Sequence, residues 1–309
     1  MAETNINWSE QAAPTIPTGD VYFVPASDAI PTESDKGFAP KGLTRDVKSL
    51  EPGDFLLLDE PLGQIANDSG VVAHFNHVPG MSKGRENGRQ GVVFGQLVIE
   101  TDQEPFIMEE AAIKPFHSAQ SAAHEAGAMT MANNLDGRRG RPLSFEPLGF
   151  YKYPDGQVGL ITRFDGPVLT QDLLFWNPDR VPTDAEVSRA FSVAALSLGG
   201  MHRYGVAHRD AQAKNVGRDN RGFRLVDLAD AERMTLANSH EYAAADLGVY
   251  LGSLLHPDEI NGQIPERDYT EPVAQIFVPQ YLRIAQGSGT LLPQAAHLSA
   301  AHINSLAQQ

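Results

Sequence analysis

The residues whose types and spacing could do chemistry lie in the run His208-Arg209-Asp210-Ala211-Gln212-Ala213-Lys214-Asn215, followed by Arg224-Leu225-Val226-Asp227-Leu228-Ala229. Two aspartates and an asparagine supply hard oxygen atoms, the donors that small divalent cations take. A carboxylate can also accept the proton of a hydroxyl group. Between the two runs, Asp219-Asn220-Arg221-Gly222 reads as a turn joining two short strand-like pieces, and Asp227 ends the second. Any one of these aspartates alone suits a turn or a helix cap. Asp210, Asn215 and Asp227 together, after a helix and across a hairpin, point to a site. The chain contains no cysteine, which excludes disulfides, thiolate metal ligands and a thiol nucleophile.

This arrangement resembles the catalytic loop of the protein-kinase-like superfamily, His-Arg-Asp with an asparagine five residues after the aspartate. The family follows that loop with a short hairpin and a second aspartate at a strand end, as Asp227 is here. Ala111-Ala112-Ile113-Lys114 is similar to the Val-Ala-Ile-Lys of the family's third strand. The resemblance implies ATP and Mg²⁺ as cofactors. It implies Asp210 as the residue that orients an acceptor hydroxyl and takes its proton, and Asn215 and Asp227 as metal ligands. It further implies Lys114 on the α- and β-phosphates, paired with a glutamate on the following helix. Glu125, the only acidic residue between Lys114 and Asp136, is the candidate. Arg163-Phe164-Asp165-Gly166 falls where the family has its interlobe hinge, which binds adenine through backbone groups. Asp246 resembles the buried helix aspartate that braces the catalytic loop.

The chain also departs from the family pattern. Gly-x-Gly-x-x-Gly does not occur, and residues 79–90, glycine-rich with Lys83, Arg85 and Arg89, stand where a phosphate-covering loop is needed. Asp-Phe-Gly is replaced by Asp227-Leu228-Ala229, and no Ala-Pro-Glu follows. The stretch from Asp230 to the next helix is short for a peptide-binding activation segment. Arg209, which in the family often contacts a phosphorylated activation segment, is expected to pair with a nearby carboxylate instead. These features resemble the compact branch of small-molecule phosphotransferases and atypical kinases. The expected activity is transfer of the γ-phosphoryl group of Mg-ATP to a hydroxyl on a protein Ser/Thr or a small molecule. The alternatives are a catalytically inactive pseudokinase serving as a nucleotide-binding scaffold, and a nucleotidyl (AMP) transferase on the same fold.

The elements that must position these residues follow from periodicity. Strands are expected at residues 55–58, 71–75, 91–99 and 106–116, and in a hairpin over residues 149–164. A helix is expected from about 118 to 133. Thr183-Asp184-Ala185-Glu186 fits a capping box, and Val187, Phe191, Ala194, Leu198 and Met201 recur behind it at helical spacing. Further helices are expected at residues 241–255, 272–285 and 293–306. The reading is therefore α+β and bilobal. An N-terminal antiparallel sheet lobe with one helix (51–166, ATP-binding) precedes a reduced helical C-terminal lobe (167–309) carrying the catalytic loop. Residues 1–50, rich in Pro, Thr, Ser and Asp, read as an extended arm with little burial to lose.

A chain of 309 residues suits one large domain or two packed lobes. A formal charge of −15 repels nucleic acid, so no nucleic-acid partner is expected, the local run Arg138, Arg139 and Arg141 notwithstanding. No apolar run reaches membrane-spanning length and the N-terminus lacks the pattern of a signal peptide, so a cytoplasmic location away from membranes is expected.

Overall fold

The computed structural model describes residues 16–35, 37–58, 72–77, 92–100, 105–134, 143–164, 168–175, 181–219, 222–235, 237–255 and 269–285. The chain divides into two compact units.

The first unit is a barrel. Strands β1 (Ile16–Phe23), β2 (Phe55–Leu57), β3 (Val72–His77), β4 (Val93–Glu100), β5 (Phe106–Phe116), β6 (Pro147–Lys152) and β7 (Val158–Arg163) close in the order β1-β2-β6-β7-β5-β4-β3. Alternating apolar side chains drive this closure, because each strand sends every second residue inward. Phe55, Leu57, Ala73, Phe75, Leu97, Ile99, Ala111, Ile113, Leu148, Tyr151 and Ile161 fill the interior. Gly95 lets β4 approach β3, since a Cβ there would strike the carbonyl oxygen of Asn76.

β5 carries a bulge with a consequence for Lys114. Gly95 pairs with Ala111 and Leu97 with Met108, so Glu109 and Glu110 together oppose Gln96. Before the bulge Phe106 and Met108 pack against the core; after it Ala111 and Ile113 do. The extra residue thus switches the inward phase, and by alternation Lys114 falls on the outer face of the strand. It also accounts for two adjacent glutamates inside a strand, since strict alternation is suspended where they stand.

The expected antiparallel sheet lobe with one helix is corrected by this barrel. β1 pairs in parallel with β2 and antiparallel with β3, which closes the sheet. A second helix, α1 (Lys41–Ser49), precedes β2. Residues expected to form an extended arm therefore include a barrel strand. Val21 and Phe23 turn toward the core while Tyr22 is 49% exposed. That alternation is too brief to show through the Pro- and Thr-rich composition around it.

The second unit is mainly helical. It contains residues 27–44, most of α2 (Ala119–Asn134), and everything from β8 (Val168–Leu169) onward. α3 (Thr170–Phe175) leads to α4 (Asp184–Arg203), which has the expected capping box of Thr183 and Glu186. α5 spans Ser239–Leu255, and α6 (Val278–Ala285) continues from a π-helical turn, Val273–Phe277. Phe191 of α4 meets Tyr250, Tyr269 and Phe277 at ring-centroid distances of 6.5, 5.8 and 6.2 Å, and Tyr250 stacks on Phe277 at 5.5 Å. This aromatic core fixes α4, at whose end the candidate site begins. The helix expected at 293–306 lies outside the described residues, and among those described none is long and apolar enough to cross a membrane.

Candidate active site

α4 ends at Tyr204, and Gly205, at φ 77°, reverses the chain into the two-residue strand β9 (Val206–Ala207). The loop His208–Gln212 and a single 3₁₀ turn, Ala213–Asn215, follow. Strands β10 (Val216–Arg218) and β11 (Phe223–Leu225) then pair as the expected hairpin. Its turn is closed by the buried ion pair of Arg224 Nε with Asp219 Oδ2 at 2.6 Å, and Asp219 Oδ1 accepts from the Gly222 amide.

The loop backbone is held by side chains from the surrounding helices. Asp246 on α5, with no exposed surface, accepts from the amides of His208 (2.6 Å) and Arg209 (2.7 Å). It also accepts from His202 Nε2 at 2.9 Å, whose Nδ1 takes the Tyr281 hydroxyl hydrogen at 2.7 Å. Burial pushes the Asp246 carboxyl up, but the His202 bond, the nearby imidazoles and the His208 amide outweigh it and hold the carboxyl below its ordinary value. Burial pushes the Tyr281 hydroxyl far up, so it remains a donor. At the 3₁₀ turn, Thr170 donates to the Ala213 carbonyl and Ser253 accepts from the Ala213 amide. His208 accepts the Asp210 amide at Nδ1, so Nε2 carries the hydrogen and donates to the Val226 carbonyl at 3.0 Å.

Asp210 is half-buried, and each of its carboxylate oxygens receives a carboxamide. Gln212 Nε2 donates to Oδ1 at 2.7 Å and Asn215 Nδ2 to Oδ2 at 2.9 Å; Asn215 Nδ2 also reaches the Asp210 carbonyl at 2.9 Å. These bonds fix the carboxamide orientation of Asn215, and its oxygen Oδ1 is left turned away from Asp210. Asp227 sits at φ 61° and Arg209 at φ 68°, the two non-glycine residues with positive φ among the described residues. Such conformations cost about 1 kcal/mol or more and mark positions the surroundings impose. Both neighbours of Asp227 are pinned. The Val226 amide donates to the Asn215 carbonyl at 2.8 Å, and the Leu228 amide to Glu125 Oε1 at 3.2 Å.

Arg209 has the carboxylate partner expected for it. Its Nε reaches Glu232 Oε1 at 3.2 Å and its guanidinium lies 4.4 Å from the Tyr242 ring, while the Tyr242 hydroxyl donates to Glu232 Oε2 at 2.6 Å. Glu232 belongs to β12 (Glu232–Arg233), which pairs with β9. The segment after Asp227 is therefore anchored by encoded side chains.

The structure brings Asp210 and Asn215 into direct contact and places Glu125, 1% exposed, against the residue after Asp227. Lys114, Arg163 and Phe164 belong to the barrel unit. Lys114 pairs with Leu160 across β7, and its ammonium lies 5.1 Å from the Phe116 ring. The Phe164 amide donates to Glu110 in the β5 bulge at 3.0 Å, and its ring meets Phe94 at 4.6 Å. Asp165 lies outside the described residues, as do Lys83, Arg85, Arg89, Arg138, Arg139 and Arg141. Gln212, Glu232 and the His202–Tyr281 pair were not singled out from sequence. Gln212 lay within the motif. The others meet the site across tens of residues, where no spacing rule applies.

A Mg²⁺ ion fits the donor set. Asn215 Oδ1 and the Asp227 carboxylate are hard oxygens. Among the described residues no cluster of three His, Cys, Asp or Glu side chains could hold a metal alone. Mg²⁺ suits such a site when it arrives with phosphate oxygens of its own.

No protein-family model matches the sequence, and comparison with curated proteins gives no match. Among solved structures the chain is similar to WaaP in complex with acyl carrier protein, at 18% identity over 72% of this chain and 86% of that one, with a TM-score of 0.39. It is also similar to a double mutant of the Mycobacterium tuberculosis PknI kinase domain, at 14% identity over 76% of this chain and 94% of that one, with a TM-score of 0.41. In the motif His208–Asn215 and the following Asp227, the chain resembles the protein-kinase-like superfamily.

Proposed function

We propose that the protein binds ATP with Mg²⁺ and transfers the γ-phosphoryl group to a hydroxyl acceptor on a protein or a small molecule. The observation that carries this reading is the holding of Asp210. Asn215 and Gln212 orient its carboxylate and the loop backbone is fixed by Asp246. A carboxylate so held can receive an acceptor hydroxyl and take its proton. Asn215 Oδ1 and Asp227 would hold the metal, which when bound neutralises phosphate charge. By the family resemblance, Lys114 would contact the α- and β-phosphates, with Glu125 as its acidic partner. The backbone at Arg163, Phe164 and Asp165 would take the adenine.

The test compares Asp210→Asn with Asp227→Asn by ATP titration with and without Mg²⁺, beside a phosphate-transfer assay over metabolites and generic protein substrates. Asn is chosen at 227 because it also tolerates positive φ. Asp210→Asn should bind Mg-ATP almost normally and turn over at least about a hundredfold more slowly. Asp227→Asn should lose the Mg²⁺-dependent part of the affinity. Full activity in Asp210→Asn would remove the assignment of the base. Equal inertness of wild type and Asp210→Asn, with ATP still bound, would favour a scaffold, and a mass gain of AMP rather than phosphate would favour nucleotidyl transfer.

A further inference from the structure

Residues 27–44 meet both α2 and the segment after Asp227, all within the helical unit. Phe38 is fully buried, and its carbonyl lies so close to α2 that a Cβ at Gly127 would strike it. The Phe38 amide donates to His124 Nδ1 at 3.3 Å, which leaves the hydrogen on Nε2 to be donated to the Ala231 carbonyl at 3.0 Å. One imidazole thus joins the N-terminal stretch, α2 and the segment that begins at Asp227. Arg233 makes a second junction. Its Nε donates to the Gly37 carbonyl, its Nη2 to the carbonyls of Pro31 and Thr32, each at 3.1 Å, and its guanidinium lies 5.2 Å from the Phe38 ring. One residue from His124 along the same helix, Glu125 accepts from the Leu228 amide.

We propose that residues 27–44 form a positioning strap: through Phe38 and His124 they set α2, through Arg233 they hold the far end of the segment, and together these contacts fix the backbone that presents Asp227. The metal-binding role of Asp227 rests on the function proposed above; the mechanical coupling does not. The segment is held at Leu228 and Ala231 by α2 and at Arg233 by the strap. Loss of the strap would take the acceptor set of Arg233 and the Nδ1 partner of His124 together. His124 and Arg233 are thus positioning residues, acting on Asp227 through the backbone.

The experiment uses the full chain and four variants: Arg233→Ala, Arg233→Lys, His124→Ala and His124→Gln. Glutamine can still donate to the Ala231 carbonyl. Native-state hydrogen exchange is read over residues 27–44 and 228–233, and ATP affinity is measured with and without Mg²⁺. In Arg233→Ala and His124→Ala, exchange should rise about tenfold or more in both stretches, as expected when one or two hydrogen bonds that close a local unit are lost. The Mg²⁺-dependent part of ATP affinity should fall about three- to tenfold, with Mg²⁺-free affinity unchanged. His124→Gln should restore protection of residues 228–233. Faster exchange in 27–44 with 228–233 still protected would overturn the proposal, as would failure of His124→Gln to restore protection. If the wild type bound no nucleotide, the functional reading would fall while the exchange comparison still decided the strap. If His124→Ala did not fold, the two Arg233 variants and His124→Gln would decide it.

Discussion

At the scale of single residues, the site is organised by three imidazoles, each with one nitrogen accepting and the other donating. His208 spans the Asp210 amide and the Val226 carbonyl, His202 spans Tyr281 and Asp246, and His124 spans Phe38 and Ala231. Burial lowers the His124 pKa below its ordinary 6.5, against the opposing pull of the Ala231 carbonyl, Asp230 and Glu232. Its neutral form is therefore favoured by folding. The associated stability is fully present above the unfolded pKa and is lost as pH falls through the folded one. Chemical denaturation between about pH 7.5 and 5 should show stability declining toward acid, and His124→Gln should flatten that slope. Asp246→Ala would strand two loop amides and the His202 ring in the interior. It should cost about 3–5 kcal/mol in the same measurement. Asp210 and Asn215 were legible in the sequence as a contacting pair, because the loop that carries them is contiguous and its spacing is set by a few bond lengths. Phe38, His124 and Arg233 were not, because the fold alone brings residues so far apart in the chain into contact.

At the scale of elements, glycine separates helix propensity from packing. Gly127 on α2 faces the Phe38 carbonyl, so Gly127→Ala should destabilise the protein by about 1–3 kcal/mol although alanine is the better helix former. Among the described residues, a methyl group at Gly248 or Gly252 of α5 would meet no atom within 4 Å outside its own helix backbone, so alanine at either should raise stability by up to about 1 kcal/mol. Thermal melts of the three variants would show opposite signs. The elements themselves were mostly legible, with β5 at the residues expected for it after the polar turn at 101–105 and α4 carrying its capping box. β1 was not, because a strand that completes a barrel gains its stability from neighbours far along the chain rather than from its own pattern. The bulge in β5 was not either, since two glutamates in a strand reveal their geometry only once Gln96 is known to face both.

At the scale of the whole molecule, the N-terminal fifty residues change their standing. β1 bridges β2 and β3, so its removal would leave two unpaired strand edges and uncover Phe55 and Phe75 of the interior. Deletion of residues 1–44 should abolish the cooperative thermal transition and drive aggregation, read by calorimetry and light scattering. The same deletion removes Phe38 and the carbonyl acceptors of Arg233. A single N-terminal stretch therefore supports the barrel and the site-bearing unit by separate contacts, and graded truncations should affect the site before the barrel strand itself is reached only if they are made as internal deletions within residues 27–44.

The bulge at Glu109 and Glu110 makes β5 a strand with a built-in change of parity. Like a frame of reading, it holds only while the count of residues is kept. Removing one glutamate would restore ordinary pairing with β4 while exchanging the two sides of everything downstream. Either Lys114 would be carried into an interior lined by Phe75 and Ile161, where an ammonium has no solvent, or the strand would slip against β7 to avoid it. The length of this one strand, more than the identity of the two residues that supply it, is what keeps the charge of Lys114 on the outer face of the barrel.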